Sequence, residues 1–152
     1  MYELSIRRTL VKRAAFSLLA RRDYSLYELS RKLQRKAFDP TDIDTVLAAL
    51  CQEGLLNDQR FTENYIHSRR AKGYGPLRIQ AELIARGIAQ DLIEHQLKII
   101  DNAWLEAVRK TWQKRFKNRL PQDGKSRAQQ MRFLYYRGFT SEQIKQLFHS
   151  DD

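Results

Sequence analysis

Basic side chains are the residues of this sequence whose type and spacing could do chemistry, and the chemistry they offer is the binding of anions. The 152-residue chain carries 28 lysines and arginines against 18 acidic residues, a formal net charge of +10. The charge is banded: residues 1–36, 69–98 and 99–137 are basic, whereas residues 37–68 and 138–152 are acidic. Such banding favours a polyanionic partner, nucleic acid first, because basic patches raise both affinity and encounter rate.

The candidate contact residues lie on the first helix of each predicted helix pair and on the segment before it. Cations placed there suit contact with a phosphate backbone and do not require the reading of bases. In the first two of three repeats they are Arg21, Arg22, Arg31, Lys32, Arg35, Arg69, Arg70, Lys72 and Arg78. Arg78 has an alternative role, because Glu82 and Arg86 follow it at four-residue spacing and the three could form a salt-bridged exposed face.

No other group of residues has a spacing typical of catalysis or of metal binding. His67, His95 and His149 are far apart and have no partner at metal-ligand spacing, so we expect no metal site. Carboxylates such as Asp42 fall at helix starts and on exposed helix faces, where they compensate helix dipoles. The sequence contains no phosphate-loop, nucleophile-elbow or kinase signature. We therefore expect neither a cofactor nor an enzymatic activity.

The elements that must position the cations are helices, arranged in a repeat of about fifty residues. One apolar pattern occurs three times, with offsets of 50 and then 51 residues. Its spacing predicts a helix, a tight turn at a small residue, and a second helix with an apolar stripe. The three copies are Leu33, Phe38, Ile43 and Leu47; Leu83, Ile88, Ile93 and Leu97; and Leu134, Phe139, Ile144 and Phe148.

The pattern predicts an all-α protein of three tandem three-helix repeats, each of which is similar to a helix-turn-helix unit. A further amphipathic helix precedes each pair, which places the repeats over residues 1–54, 55–100 and 101–152. Three short helices bury little surface by themselves, so we expect the repeats to lean on one another in an elongated, curved array.

Helix-start signals agree with the same repeat. Ser25, Gly75 and Ser126 each stand eight residues before an anchoring leucine, and we expect them to cap the first helix of each pair. Pro76 follows Gly75 at the first helical position, where a missing N–H costs nothing. Ser126 is expected to form a capping box with Gln129. On this interpretation the unusual stretch GYGP is the start of a helix.

A helix pair joined by a tight turn also describes proteins that read DNA with the second helix of the pair. That helix must bring hydrogen-bond donors into a groove lined by phosphates. Here the corresponding segments are DPTDIDTVLAAL, AQDLIEHQL and TSEQIKQLF, whose formal charges are −3, −2 and 0. Their acidity argues against sequence-specific reading of DNA.

An aromatic stripe marks the upstream helix of the third repeat. Trp104, Val108, Trp112 and Phe116 recur every four residues and share one helix face, opposite a set of basic side chains. We expect this stripe to be core. The alternative is that the two tryptophans stack on nucleic-acid bases.

The sequence shows no apolar run long enough to cross a membrane and no apolar segment typical of a secretory signal. We therefore expect a cytoplasmic protein with no membrane partner.

From Leu56 onward, the sequence LNDQRFTENYIHSRRAKGYGPLRIQAELIARGI resembles the bacterial RecX family, the regulators of the RecA recombinase. The flanking repeats fit the same family over about residues 9–149, although Gln130 stands where the other repeats have Leu29 and Ile79. The positions that carry the resemblance are Leu56, Asp58, Phe61, Tyr65, Arg69, Gly73, Gly75, Pro76, Arg78, Ile79, Glu82, Leu83, Gly87 and Ile88.

The resemblance implies a set of three-helix repeats that binds in the groove of the RecA–DNA filament. It implies inhibition of filament growth, strand exchange, ATPase and coprotease activities. It carries over Arg69, Tyr74, Gly75 and Arg78 as motif-matched positions, although helix initiation alone explains Gly75, and Tyr74 matches Tyr24 and could equally be a core residue. We expect the contact itself at Arg69, Arg70, Lys72 and Arg78.

The sequence thus leads to a non-enzymatic negative modulator of RecA, acting as a monomer on the RecA filament. We expect weak binding to single- and double-stranded DNA without sequence preference. The alternative from another class is a helix-turn-helix-like regulator that acts on DNA alone.

Overall fold

The computed structural model of the chain describes residues 2–149, and within that range it contains α-helices and no strand. The prediction of an all-α protein built from tandem three-helix repeats is confirmed. A 3₁₀ turn at Asp101–Ala103 precedes the seventh helix. The helices are α1 (Tyr2–Leu19), α2 (Leu26–Arg35), α3 (Pro40–Gln52), α4 (Asp58–Ala71), α5 (Pro76–Ala85), α6 (Gln90–Ile99), α7 (Trp104–Phe116), α8 (Gly124–Tyr136) and α9 (Ser141–His149).

The helices pack in threes, and every closely packed helix pair belongs to one repeat: α1 to α3, α4 to α6, or α7 to α9. The molecule is elongated. Its accessible surface is 10085 Å², whereas a compact monomer of this mass exposes about 8,100 Å². The excess surface is what a row of small units, each touching only its neighbours, must leave in contact with water.

The anchors of the repeated pattern form the core. Leu33, Leu83 and Leu134 are each fully buried at equivalent places in the three repeats. The core is divided unequally: repeat 1 has its own cluster of buried residues, whereas repeats 2 and 3 share one continuous cluster. We therefore describe repeats 2 and 3 as one packed body to which repeat 1 is attached.

Local signals fix most helix starts as expected. The Ser25 hydroxyl accepts the backbone N–H of Glu28, whose side chain in turn accepts the Ser25 N–H, which is a capping box. Thr140 and Gln143 exchange the same two hydrogen bonds at the start of α9.

The expectation for the third repeat was wrong, because Ser126 is not the cap of α8. Asp123 caps that helix: its carboxylate accepts the Ser126 N–H at 2.7 Å, and the Ser126 hydroxyl accepts the Asp123 N–H. A carboxylate at a helix start also gains from the helix dipole, so α8 begins one turn earlier, at Gly124.

Asp42 is likewise not on an exposed helix face, as the sequence suggested. Its side chain is 2% exposed. The Oδ2 atom lies 2.9 Å from Arg7 Nε and 2.8 Å from Arg7 Nη2, so both bonds come from α1. The carboxylate therefore joins α3 to α1, since a buried charge requires such a partner.

The turns that join the paired helices depend on a left-handed residue. Ala37, Gly87 and Gly138 occupy equivalent positions with φ values of 64°, 76° and 99°. In the second and third repeats, the next residue donates its N–H to the anchoring leucine: Ile88 to Leu83 and Phe139 to Leu134. This Schellman arrangement ends one helix and buries an apolar side chain beneath the turn.

Neighbouring repeats meet where this turn touches the start of the preceding helix pair. The Ser25 hydroxyl donates to the carbonyl of Arg86 at 2.6 Å, and the Gly75 N–H donates to the carbonyl of Arg137 at 2.7 Å. The N–H of Leu77 also donates, at 2.9 Å, to the Gly138 carbonyl. In both places a turn carbonyl accepts a bond from a helix start, from a side-chain hydroxyl between repeats 1 and 2 and from backbone N–H groups between repeats 2 and 3. We call these contacts the 1–2 junction and the 2–3 junction.

Close approach at the junctions leaves no room for side chains. A Cβ added to Gly138 would lie 2.7 Å from the backbone nitrogen of Arg78, and one added to Gly75 would lie 2.6 Å from the Gly138 carbonyl oxygen. Cβ atoms do not approach other atoms so closely in folded proteins. Gly75 is thus required by the next repeat as well as by the start of its own helix, which adds to the interpretation from sequence.

We predict that Gly138→Ala lowers the free energy of unfolding by about 3 kcal/mol or more, because it combines left-handed strain with steric overlap. Gly54→Ala is the matched control, since Gly54 has a φ of 77° but nothing within 4 Å of an added Cβ. Strain alone should cost that variant about 1–2 kcal/mol. Urea denaturation followed by circular dichroism measures both, and equal losses would contradict the junction geometry.

Candidate anion-binding site

Three guanidinium groups converge on one tyrosine at the 2–3 junction. The guanidinium carbons of Arg69, Arg78 and Arg137 lie 3.9, 4.5 and 4.9 Å from the centroid of the Tyr74 ring. At these distances each cation is attracted by the electron-rich face of the ring. We call these four residues, together with Glu82, the Tyr74 cluster.

Each member of the Tyr74 cluster is positioned by a helix end. Arg69 lies in the last turn of α4, which closes in a Schellman motif: the Gly73 N–H bonds to the carbonyl of Arg70, and the Tyr74 N–H bonds to the carbonyl of Arg69. The motif turns Tyr74 back beside Arg69. Arg137 follows α8 and reaches the cluster because its turn is docked at the junction.

Glu82 balances one of the three cations. Its carboxylate forms a bidentate ion pair with Arg69, at 2.9 Å from Nη2 and 3.1 Å from Nε. It also accepts a hydrogen bond from the Tyr65 hydroxyl at 3.0 Å. Burial raises the pKa of Tyr65, and the bond to Glu82 raises it further. Burial acts to lower the pKa of Arg69, but the bond to Glu82, the charge of Glu82 and the neighbouring Tyr65 and Tyr74 together leave that pKa raised. Both groups therefore stay protonated.

The other two arginines of the Tyr74 cluster have no carboxylate partner among residues 2–149. Arg78 donates to the carbonyl of Tyr136 and Arg137 donates to the carbonyl of Lys72, both through long bonds of 3.4 and 3.3 Å. Two uncompensated cations on one ring repel each other, and an anion bound between them would relieve that repulsion.

The 1–2 junction also places a turn against a helix start, but its charge differs. Tyr24 stands in the place of Tyr74 and carries the guanidinium of Arg22 at 3.7 Å from its ring centroid. The position equivalent to Arg78 is Glu28, which pairs with Arg22 at 3.3 Å and with Arg86 at 3.9 Å. One carboxylate thus faces two guanidinium groups there, whereas at the 2–3 junction Glu82 is the one carboxylate beside three. The 2–3 junction therefore carries the larger excess of positive charge.

A basic cleft adjoins the Tyr74 cluster between the end of α4 and α7, with a volume of about 640 Å³. Arg137 lies on its wall and belongs to both features. Glu106 is the one carboxylate in its lining, and it pairs with Lys110 at 3.1 Å. The cations that line this basic cleft are Arg70, Lys72, Lys110, Lys114, Arg115 and Arg137.

The structure brings some of the predicted contact residues together and separates others. Arg69, Tyr74 and Arg78 meet in the Tyr74 cluster, and Arg70 and Lys72 line the basic cleft. Those on repeat 1 belong to neither feature. All of the latter are exposed, and they are Arg21, Arg22, Arg31, Lys32 and Arg35.

Two alternative interpretations from sequence are settled by these contacts. Arg78, Glu82 and Arg86 do not form a salt-bridged face, because Glu82 pairs with Arg69 and Arg86 approaches Glu28 in the neighbouring repeat. Tyr74 is half-buried and packs against the core of repeats 2 and 3 while its ring carries three arginines, so it takes both of the roles that the sequence left open.

Sequence reasoning missed Arg137, although a signal for it exists. Lys36, Arg86 and Arg137 each directly precede the left-handed residue of a turn, so a basic residue recurs there in all three repeats. In the second and third repeats that residue supplies the carbonyl group that docks on the preceding repeat. Its side chain is therefore held at the junction.

The tryptophan stripe is core, as expected. Trp104 and Trp112 are 2% and 4% exposed, so stacking of bases on them is wrong. Gln130, which departs from the aliphatic residues of the other repeats, accepts the indole N–H of Trp112 at 2.8 Å and donates to the Arg119 carbonyl at 2.8 Å. The amide thus satisfies the buried indole N–H, which a leucine would leave without a partner.

Within residues 2–149, no group of three or more histidine, cysteine, aspartate or glutamate side chains is arranged to hold a metal ion. The helices of this range include none with the length and apolarity needed to span a bilayer.

The chain matches family models of RecX in three places: the first three-helix domain over residues 12–50, the second over 57–97 and the third over 102–148. The protein named Regulatory protein RecX from Ectopseudomonas mendocina (strain ymp) is 43% identical over 142 residues, which cover 93% of this chain and 95% of the relative. One of the same name from Pseudomonas putida is 42% identical over 142 residues, covering 93% and 91%.

Solved structures agree in fold. The crystal structure of RecX from Lactobacillus salivarius matches with a TM-score of 0.81 at 18% identity and covers 96% of this chain and 97% of that one. A second structure, of a regulatory protein RecX, matches with a TM-score of 0.79 at 16% identity and covers 99% and 74%.

We predict that Arg78→Glu, which copies Glu28 of the 1–2 junction, leaves the melting temperature unchanged or higher because it removes repulsion in the Tyr74 cluster. The same change should weaken binding of a single-stranded oligonucleotide roughly tenfold at low salt. Thermal unfolding and fluorescence anisotropy measure the two effects. Arg13→Glu, on an exposed residue of α1, is the matched control. Equal losses of affinity in the two variants would refute a localised site.

Proposed function

This chain belongs to the RecX family of regulatory proteins, and from that premise we propose that it is a negative modulator of the RecA recombinase. In this proposal it binds the RecA–DNA filament and inhibits filament extension, ATPase, strand-exchange and coprotease activities. It acts by binding and performs no catalysis.

The observation that carries the proposal is the difference in charge between the two junctions. Tyr24 carries the guanidinium of Arg22, which Glu28 pairs with, whereas Tyr74 carries three guanidinium groups, of which those of Arg78 and Arg137 have no carboxylate partner within residues 2–149. A positive patch with no internal balance is suited to a nucleoprotein surface, where phosphates supply the opposite charge.

The length of the array supports the same function. A helical filament presents equivalent surfaces at regular intervals, and a row of repeats can contact more than one of them at once, which multiplies weak contacts. Repeat 1 has a core of its own, separate from the core that repeats 2 and 3 share, and in this proposal it adjusts to its surface independently of the 2–3 body. A curvature that follows the filament groove is part of this proposal.

The second candidate, a regulator that acts on DNA alone, finds less support in the geometry. α3 contains no lysine or arginine, and α6 and α9 contain one lysine each, Lys98 and Lys145. Among the exposed residues of α3 is Asp44, whose charge would oppose entry into a groove. Helices of this composition lack the donors that read bases. Bare DNA should therefore bind weakly, with strong salt dependence and without sequence preference.

We place this activity in the cytoplasm, with the protein as a monomer and without a membrane partner. RecA in its filament is the principal partner, and DNA is contacted within that assembly.

We predict that sub-stoichiometric amounts of this protein inhibit the ATPase activity of RecA assembled on single-stranded DNA, because bound molecules block extension of whole filaments. A titration of ATP hydrolysis at fixed RecA measures this. A gel shift on bare DNA at the same protein concentrations should show little complex. Tight binding to one particular duplex, with ATP hydrolysis unchanged, would support the regulator of DNA alone.

We predict that Arg31→Glu, Lys32→Glu and Arg35→Glu together raise the protein concentration needed for half-inhibition by roughly tenfold or more, through lost contacts with phosphate. All three side chains are exposed and form no ion pair within residues 2–149. Arg13→Glu, Lys125→Glu and Arg132→Glu together change the net charge equally and serve as the control. Inhibition that persists undiminished in the first variant would exclude repeat 1 from the contact surface.

A further inference from the structure

The basic cleft between α4 and α7 carries more charge than the fold requires. Its lining contains six cations and a single carboxylate, and that carboxylate, Glu106, already pairs with Lys110. Lys72 and Lys114 stand on α4 and α7 respectively and are exposed, so the two helices present like charges to each other across the cleft. An anionic occupant would remove this repulsion.

The floor of the basic cleft is apolar. Its least exposed apolar lining residues are Ala107 and the half-buried Gly73, Ala103 and Phe133, and the exposed Ala71 stands at its edge. Small side chains at these places leave the volume open. A free phosphate or a sugar-phosphate backbone would use the rim and leave the floor exposed to water, whereas an aliphatic side chain would cover it.

Arg70, which lines the basic cleft, has a polar atom without a hydrogen-bond partner. Its Nη1 atom is buried and makes no hydrogen bond, and its guanidinium carbon lies 5.9 Å from the centroid of the Trp104 ring. A buried cationic donor without an acceptor is costly, so the position favours an oxygen ligand that arrives from outside the chain.

Phe133 is the aromatic residue in the lining of the basic cleft, and side chains of this protein already pack against its ring. Arg115 and Arg137 hold their guanidinium carbons 5.5 and 5.1 Å from the Phe133 centroid, and Phe116 packs against the same ring in an edge-on arrangement. Single-stranded nucleic acids gain much of their affinity by stacking bases on free aromatic faces. The cleft offers no such face, which favours a peptide over a nucleotide.

We propose that the basic cleft binds a short acidic peptide segment of a protein partner, with carboxylates on the Arg70, Lys72 and Lys114 rim and one aliphatic side chain on the alanine floor. This inference rests on the proposed function and adds to it the chemistry by which the protein partner is bound. It assigns the phosphate contacts to the Tyr74 cluster and the protein contact to the adjoining cleft.

The probe is a fluorescein-labelled peptide of about eight residues that contains glutamates and two leucines, titrated with the full chain by fluorescence anisotropy. We expect it to bind at least about tenfold more tightly than three controls. These are the peptide with leucines changed to serine, the peptide with glutamates changed to glutamine, and an oligothymidylate of equal charge.

Two variants locate the binding. Lys72→Glu with Lys114→Glu reverses the rim on both walls, and Ala71→Leu narrows the floor from its edge without changing charge. Each should weaken the leucine peptide about tenfold. Lys125→Glu with Arg132→Glu, on exposed residues of α8 outside the cleft lining, changes the charge as much as the first variant and should leave the affinity within twofold. Thermal unfolding confirms that each variant is folded.

Two results would overturn the inference. One is equal affinity for the serine peptide and the leucine peptide. The other is an oligothymidylate that binds more tightly than the leucine peptide and loses its affinity in the Ala71→Leu variant. RecA ATP hydrolysis is measured in parallel. If the peptide binds but RecA is not inhibited, the proposed peptide site stands and the proposed function fails. If RecA is inhibited but the peptide does not bind, the proposed function stands and the peptide site fails.

Discussion

The structure depends on one constraint: the turn of each later repeat must touch the helix start of the repeat before it, through the Ser25 hydroxyl at the 1–2 junction and through backbone groups at the 2–3 junction. At the 2–3 junction this contact admits no Cβ at either Gly75 or Gly138, and two N–H groups donate directly to carbonyl groups across it. The contact sets the spacing between repeats, the direction of the array and the place where Arg137 projects. Packing of apolar anchors makes each repeat stable, but the junction decides how one repeat stands on the next.

The two junctions differ in charge, although each joins a turn to a helix start. Tyr24 carries one guanidinium group and Tyr74 carries three, and the exchange of Glu28 for Arg78 between the two junctions makes the second more positive. Sharing of one core by repeats 2 and 3 keeps the positive junction rigid. Cations held by a fixed backbone lose little entropy when an anion arrives, which is the advantage of a preorganised site.

Much of the fold was predictable, because the spacing of Leu33, Leu83 and Leu134 follows from helix periodicity, which is a local property. The candidate site was predictable only in part. Arg69 and Arg78 are near Tyr74 in sequence, so their proximity could be inferred, whereas Arg137 arrives through contact between repeats. The start of α8 was misplaced because two good caps stand three residues apart, and the choice of Asp123 depends on the hydrogen bonds that its carboxylate completes.

The residue at the first turn of the array has a consequence for self-association. A contact in which one end of a unit fits the other end does not close upon itself, and copies joined in this way grow into fibres. Gly87 and Gly138 lie against a preceding helix start, and Ala37 stands at the equivalent place in repeat 1 with a methyl group where they have a hydrogen. A head-to-tail contact of the kind made at Gly138 would press that methyl group against the helix start of a second molecule, where a Cβ at Gly138 finds no room.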